Sequence, residues 1–276
     1  TNGGFTPPTS LKGNIMKKDQ VISLYDFTGE ALRPWAEAGY QCFAYDIQHK
    51  PSPMGELEPA SVTGFERLDS HFPLNGGNIF KIHADLYDSS ILMKIASRHM
   101  NSAKFLSAFP PCTDLSSAGA RWWKEKQIQN PLFQEFARDK AIACQTLADA
   151  LDCSYYIENP VGALGTLWRK ANHTFNPCDY GGLLPEDDVH PRYPDYIPPR
   201  DAYRKKTCLW TGNRFQMPEI NPVPYENITY DRKDPTKGRN LPPVHGRTGG
   251  KSLKTKNIRS ATPRGFAKAV FLANSH

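Results

Sequence analysis

No run of about 18 apolar residues occurs anywhere in the 276-residue chain, so the sequence offers no membrane-spanning helix. The polar stretch TNGGFTPPTSLKGN at residues 1–14 lacks the apolar core of a signal peptide, and a soluble, cytoplasmic protein without a membrane partner is expected. Cysteine is sparse. The six residues at 42, 112, 144, 153, 178 and 208 contain no CxxC pair, which argues against a zinc ribbon, and a chain of this length needs no disulfide framework. His173, Cys178 and Cys208 do not fall into a tetrahedral ligand spacing, so no metal is expected. There is no internal repeat and no disorder-like composition; the length suits one generous domain with at most a small appendage.

What the chain does have is locally placed charge. The formal net charge is +6, yet residues 200–259 alone hold 14 Lys and Arg against 5 Asp and Glu. The remaining chain holds 20 against 23, so a basic segment of net +9 sits on a slightly acidic body of net −3. That pattern suits a polyanion-binding surface, and equally a solvated loop.

Short β-branched and aromatic runs bounded by breakers read as buried strands: VISLYDF (21–27), QCFAYDI (41–47), KFLSAF (104–109), CSYYIEN (153–159) and TCLWTG (207–212). Helical stretches separate them at 30–39, 89–100 and 131–151, the last with Leu132, Phe133, Phe136, Ile142, Leu147 and Leu151 near helical spacing. This alternation predicts an α/β fold, a doubly wound and mostly parallel sheet. The Pro-, Gly- and Lys-rich stretch 213–257 reads as a small, mostly irregular basic insertion between a catalytic domain of 15–212 and its return at 258–276. A terminal helix follows, with Pro263 in its first turn and Phe266, Val270 and Phe271 facing inward.

In such a sheet ligands bind at the carboxyl ends of the strands, which draws attention to Gly29, Asp46, Cys112, Glu158 and the 204–207 region. VISLYDFTGEALRPWAEAGYQCFAYDI reads as strand, tight turn at Gly29, helix, and second strand with Asp46 at its end. The helix start offers free N–H groups, and Asp46 is placed for ribose hydroxyls. One glycine stands where dinucleotide folds carry three, so a nucleoside cofactor without pyrophosphate, such as S-adenosylmethionine, fits better than NAD. Asp85 in KIHADLYD is a further candidate for an adenine amino group, or else a helix cap or turn aspartate.

Cys112 in SAFPPCTDLSSAGARWW follows two prolines at a strand end, where the backbone cannot continue as ladder or helix. A thiolate there could attack an electrophilic carbon, its pKa lowered by nearby cations or a helix end; the alternative is a buried structural cysteine. In YYIENPVGAL, Glu158 stands at another strand end before Pro160. Its carboxyl can protonate or hydrogen-bond a ring nitrogen, or can cap the next helix.

With these motifs in order, the chain resembles the DNA cytosine C5-methyltransferases, most closely their compact bacteriophage and prophage forms. DFTG resembles the first cofactor motif, AYDI the ribose-binding acidic motif and HADL the adenine-binding motif. FPPCTDLSSAG resembles the proline-cysteine nucleophile motif, IENP the glutamate motif, KKTCLWTG the basic strand after it, and RSATPRGFAKAV the final motif. The resemblance spans residues 21–272 apart from the basic insertion.

The resemblance implies an enzyme in which Cys112 adds to C6 of a cytosine in DNA while Glu158 stabilises charge at N3 and the exocyclic amine, with Lys205 assisting. C5, made enamine-like, then takes a methyl group from S-adenosylmethionine, and loss of the C5 proton and of the thiol releases 5-methylcytosine. It implies a cofactor site of Phe27, Thr28, Gly29, Asp46, Ile47, Asp85, Leu86, Pro111 and Ser260. The base must be flipped out of the duplex and the phosphates gripped, for which Arg121, Arg204, Lys206, Lys251, Lys254 and Lys256 are candidates. Trp122 and Trp123 either contact the strand and fill the gap left by the base, or pack in the core.

The pattern departs from the family in four places. Glu30 and Ala31 replace a second glycine, and Asp46 lies one position late. Thr113 replaces a common glutamine, and Lys205 and Thr207 stand where two arginines are usual. The ninth motif is not recognisable, and a reader of some 45 residues predicts a very short recognition sequence or almost none. A monomer is expected. The competing readings are a relative acting on a free cytosine nucleotide or with an altered donor, and a silent DNA-binding protein that kept the fold.

Overall fold

The computed structural model describes residues 18–59, 78–230, 239–250 and 252–276. Seven strands form one sheet: β1 (Gln20–Leu24), β2 (Gln41–Asp46), β3 (Asn78–His83), β4 (Ala103–Ala108), β5 (Ser154–Pro160), β6 (His173–Phe175) and β7 (Thr207–Gly212). Their order is β3-β2-β1-β4-β5-β7-β6. The first five strands pair in parallel, and β7 runs antiparallel to both its neighbours. The fold is therefore α/β with a mostly parallel sheet, and the strand order reverses between β1 and β4, the switch point at which such sheets bind ligands.

Helices cover both faces because alternate strand residues point opposite ways. Ile22, Leu24, Leu106 and Ile157 pack beneath α2 (Ser89–His99) and α4 (Phe133–Ala150), meeting Ile91, Ile95, Ala141, Cys144 and Leu147. Val21, Phe105, Tyr156 and Leu209 pack on the other face beneath α1 (Arg33–Glu37) and the terminal helix Arg264–Asn274, meeting Trp35, Phe266 and Val270. Between α2 and α4, the segment after β4 forms a 3-10 turn over Ser117–Trp122 and α3 (Trp123–Gln129).

Several local expectations are corrected. Strand β1 ends at Leu24 rather than 27, because Tyr25 takes a left-handed φ of 57° that turns the chain out of the sheet. Helix α1 is shorter than 30–39, since Pro34 fits only a first turn. In α4 the expected Leu147 and, just past its end, Leu151 are buried, but most of the stripe that meets the sheet is small, Ala137, Ala141, Cys144 and Ala148, which lets the helix lie close; Leu132 and Phe136 face outward.

The stretch 213–257 begins as part of the body. Phe215 packs its ring on Phe105 and Tyr156. Asn221 and Val223 donate their N–H groups to the carbonyls of Asp179 and Cys178, both at 2.9 Å. The short helix α5 (Leu164–Leu167) lies earlier, before β6; the basic stretch continues with the hairpin β8 (Ile228–Tyr230) and β9 (Arg239–Leu241), α6 (Pro243–Gly246) and α7 (Leu253–Ser260), which crosses the expected boundary at 257. The terminal helix is α8. Among the described residues no helix is long and apolar enough to cross a membrane.

Candidate active site

The turn after β1 is folded on a residue that sequence reasoning passed over. Asp26, buried, accepts from the backbone N–H of Gly29 at 2.7 Å and from the Thr28 hydroxyl at 3.1 Å through one oxygen. Its other oxygen accepts from Ser23 at 2.8 Å, and Ser23 in turn accepts from Ser107 of β4 at 2.9 Å. Gly29 has φ of 75°, so a side chain there would be strained. An aspartate three residues before a turn glycine is the local signal that could have marked it.

Phe27 is half-buried, its ring 5.9 Å from that of His49, whose nitrogens lie 3.3 Å and 3.2 Å from the carbonyls of Phe27 and Ile82. His49 thus ties together the ends of β1, β2 and β3, and nothing local in the sequence marks it. Asp46 is buried at the end of β2; burial pushes its carboxyl above the usual range, opposed by the Gln48 N–H that it accepts at 2.7 Å. Ile47 is exposed beside it. Asp85 is exposed and accepts from the Tyr87 N–H at 3.0 Å, a turn aspartate, while Asp88 takes the cap of α2. The Leu86 side chain lies in the core, and its carbonyl accepts from the Tyr25 hydroxyl at 3.0 Å.

On the other side of the switch point, the ends of β4 and β5 are locked together. Asn159, buried, donates to the Pro110 carbonyl at 2.9 Å. Ser117 N–H donates to the Val161 carbonyl at 3.1 Å, and Ala163 N–H to that of Leu115 at 2.7 Å. Gly162 is required there, since a Cβ would stand 1.9 Å from the Leu115 oxygen. The Cys112 carbonyl accepts from Leu115 and Ser116, closing a tight turn that leaves Cys112 and Pro111 half-buried at the rim. Asp114, paired with Lys126, and Gln134, which donates to the Asp114 carbonyl at 3.0 Å, pin the loop to α3 and α4.

The electrostatics of Cys112 correct the expectation of a lowered thiol. Burial pushes it up, Glu158 adds to the rise, and Lys205 only partly opposes. Burial likewise pushes the Glu158 carboxyl up against the pull of Lys205, and its Oε1 is buried without a hydrogen-bond partner. The arrangement is a thiol and a carboxyl whose burial favours the protonated form of each.

Lys205 precedes β7, yet it lies at the same edge because β7 runs antiparallel: Thr207 pairs with Pro160. Lys205 Nζ donates to the Arg259 carbonyl at 2.9 Å, and the buried Thr207 hydroxyl donates to the Lys205 carbonyl at 2.9 Å. Glu158, Lys205, Thr207 and exposed Ser260 line one cleft with Phe109 and Phe266; it encloses about 10 Å³, room for a single water.

The basic candidates are distributed around this edge. Arg121 lies 5.1 Å over the ring of Trp122, which is 41% exposed, while Trp123 is half-buried with its indole nitrogen buried. Arg204 is exposed and donates to the Tyr225 hydroxyl at 3.0 Å; Lys206 is exposed beside it. On α7, Lys254 lies 5.4 Å over the Tyr196 ring and Lys256 is exposed, while Lys251 lies outside the described residues. Asn257 of α7 donates to the Gln48 side chain at 3.0 Å, so α7 bridges the β2 end and the cysteine side of the edge.

No protein-family model matches the chain, and no curated protein does. Among solved structures, the crystal structure of an NADH-dependent reductase, A1-R', complexed with NAD is similar over 49% of this chain and 56% of that one, at 13% identity and a TM-score of 0.26. The chain therefore spans about half the length of that reductase.

Proposed function

We propose that the protein is an S-adenosylmethionine-dependent DNA cytosine C5-methyltransferase of the compact type. The observation that carries this reading is the pairing of Cys112 and Glu158 on adjoining strand ends, zippered through Asn159 and Gly162 and attended by Lys205, beside the switch point where β1 turns at Gly29.

The cofactor end suits a nucleoside. A single turn glycine leaves no three-glycine cradle for a pyrophosphate, and antiparallel β7 means that the second half of the sheet does not repeat the first, as a dinucleotide fold requires. Phe27, Asp46 and Asp85 would hold the adenosine, with Ile47 and the Leu86 main chain beside it; Thr28, Gly29, Pro111 and Ser260 would border the methionine part. When bound, S-adenosylmethionine supplies an electrophilic methyl group.

The chain's own residues do the rest. Cys112 must lose its proton to bond C6 of the cytosine, and its raised pKa ties that loss to arrival of the base. Glu158, whose carboxyl burial shifts toward the protonated form, donates to N3 as the ring gains electrons, which makes C5 nucleophilic. Lys205 offsets negative charge at both groups. Departure of the C5 proton and of the thiolate then restores the ring. Arg121, Arg204, Lys206, Lys251, Lys254 and Lys256 serve the phosphates, with little sequence reading and as a monomer in the cytoplasm.

A second reading, action on a free cytosine nucleotide, is favoured by one observation: residues 215–223 are bound to the body, which shortens the stretch left to contact DNA. Incubation with labelled S-adenosylmethionine and either duplex DNA or dCMP separates the two. Label at C5 of duplex cytosine supports the first, label on dCMP alone supports the second, and label on neither favours a silent DNA-binding protein.

A further inference from the structure

Lys205 is held by a residue 54 positions further along the chain. The carbonyl that accepts its ammonium belongs to Arg259, in the last turn of α7, where helix carbonyls lack internal partners and the dipole favours a cation. The Arg259 guanidinium turns back on the loop before its own helix: Nε donates to the Thr248 hydroxyl at 2.8 Å and Nη2 to the Thr248 carbonyl at 2.7 Å. Thr248 is buried, and its hydroxyl donates to the Val244 carbonyl of α6. Thr255 closes the same loop through the Gly249 carbonyl at 2.9 Å. Bidentate grips of this kind fix orientation as well as distance.

We propose that Arg259 is a positioning residue: its clamp on Thr248 fixes the carboxyl end of α7, and through the Arg259 carbonyl sets where the Lys205 ammonium stands relative to Cys112 and Glu158. The inference rests on the reading above for the use made of Lys205 in catalysis. The clamp itself acts on thiol chemistry that needs neither DNA nor cofactor.

The charged groups around the pair are few. Cys112 is faced by Glu158 and Asp114 as well as Lys205. His245 of α6 faces Lys205 and Arg259, and burial with those two cations pushes it down to about 4, so it stays neutral where the thiol titrates. Lys205 is then the cation that lowers the Cys112 thiol, and moving it lets the thiol rise further.

Alkylation by iodoacetamide, in which the thiolate sulfur displaces iodide, reads this directly when followed by mass spectrometry on the Cys112 peptide across pH. Arg259→Lys keeps the charge and loses the two-point grip; Thr248→Val removes the hydroxyl from the other side. Each is expected to slow alkylation below its plateau about three- to tenfold, corresponding to a thiol pKa raised by about half a unit to one unit. Lys205→Met should slow it at least as much, and either clamp substitution added to Lys205→Met should change nothing more. Thr248→Ser, which keeps the hydroxyl, should restore the wild-type profile. A wild-type profile in both clamp variants overturns the proposal, and so does further slowing in the Lys205→Met background, the mark of a merely structural role. Absence of methyl transfer to DNA would sink the catalytic reading and leave this result standing.

Discussion

The two ends of the sheet's carboxyl edge solve opposite problems. At β1–β3 three aspartates are answered by nearby backbone N–H groups: Asp26 by Gly29, Asp46 by Gln48 and Asp85 by Tyr87, all at 3.0 Å or less, although Glu30 Oε2 just after the turn is buried without a hydrogen-bond partner. At β4, β5 and β7 the backbone is locked as tightly, but the side chains that would do chemistry are left unanswered. Glu158 Oε1 and Asn159 Oδ1 are buried without partners, and the Cys112 thiol is held above its ordinary pKa. A preformed turn suits a cofactor that arrives in one pose. Unpaired buried polar atoms cost stability and are kept where a ligand completes them.

The largest expected effects come from breaking the unanswered side. Glu158→Gln should lower the turnover of cytosine by about 10²- to 10⁴-fold while leaving cofactor affinity close to wild type, measured by single-turnover label transfer and by titration calorimetry. Asp26→Ala should do the reverse. By releasing the Gly29 turn it should weaken cofactor binding about tenfold or more, with the Cys112 alkylation profile unchanged. If both substitutions shift both readouts equally, the division between the two ends fails.

Gly162→Ala probes the lock beneath Cys112 and Glu158. Its Cβ would meet the Leu115 carbonyl at 1.9 Å, so the loop must shift, at a cost of about 1–3 kcal/mol in urea denaturation. The smallest effect runs the other way. A buried carboxyl whose folded pKa lies above its unfolded value of 4.5 contributes stability that is present below that value and lost as pH rises through the folded pKa. Glu158→Gln should therefore stabilise the protein at neutral pH by about 1 kcal/mol and flatten the decline above pH 4.5.

Sequence reading reached the parts of this edge whose signals are local. Pro110, Pro111 and Pro160 mark where β4 and β5 must stop, which points to Cys112 and Glu158, and β-branched and aromatic runs mark β1, β2, β4, β5 and β7 but not β3 or the three-residue β6. Contacts between distant positions stayed hidden. Asn159 with Pro110, Lys205 with Arg259, and His49 with Ile82 join residues 49, 54 and 33 apart, and no periodicity encodes them. The thiol pKa was read with the wrong sign because neighbouring cations show in sequence more readily than burial does.

The central claim is that Cys112 bonds covalently to a cytosine. Duplex DNA carrying 5-fluorocytosine cannot lose a proton from C5, so incubation with it and S-adenosylmethionine should trap the protein as an adduct. Mass spectrometry should find the nucleotide on the Cys112 peptide, and Cys112→Ser should abolish it. An unmodified Cys112 peptide, with the protein shown to bind both the DNA and the cofactor, would contradict the account.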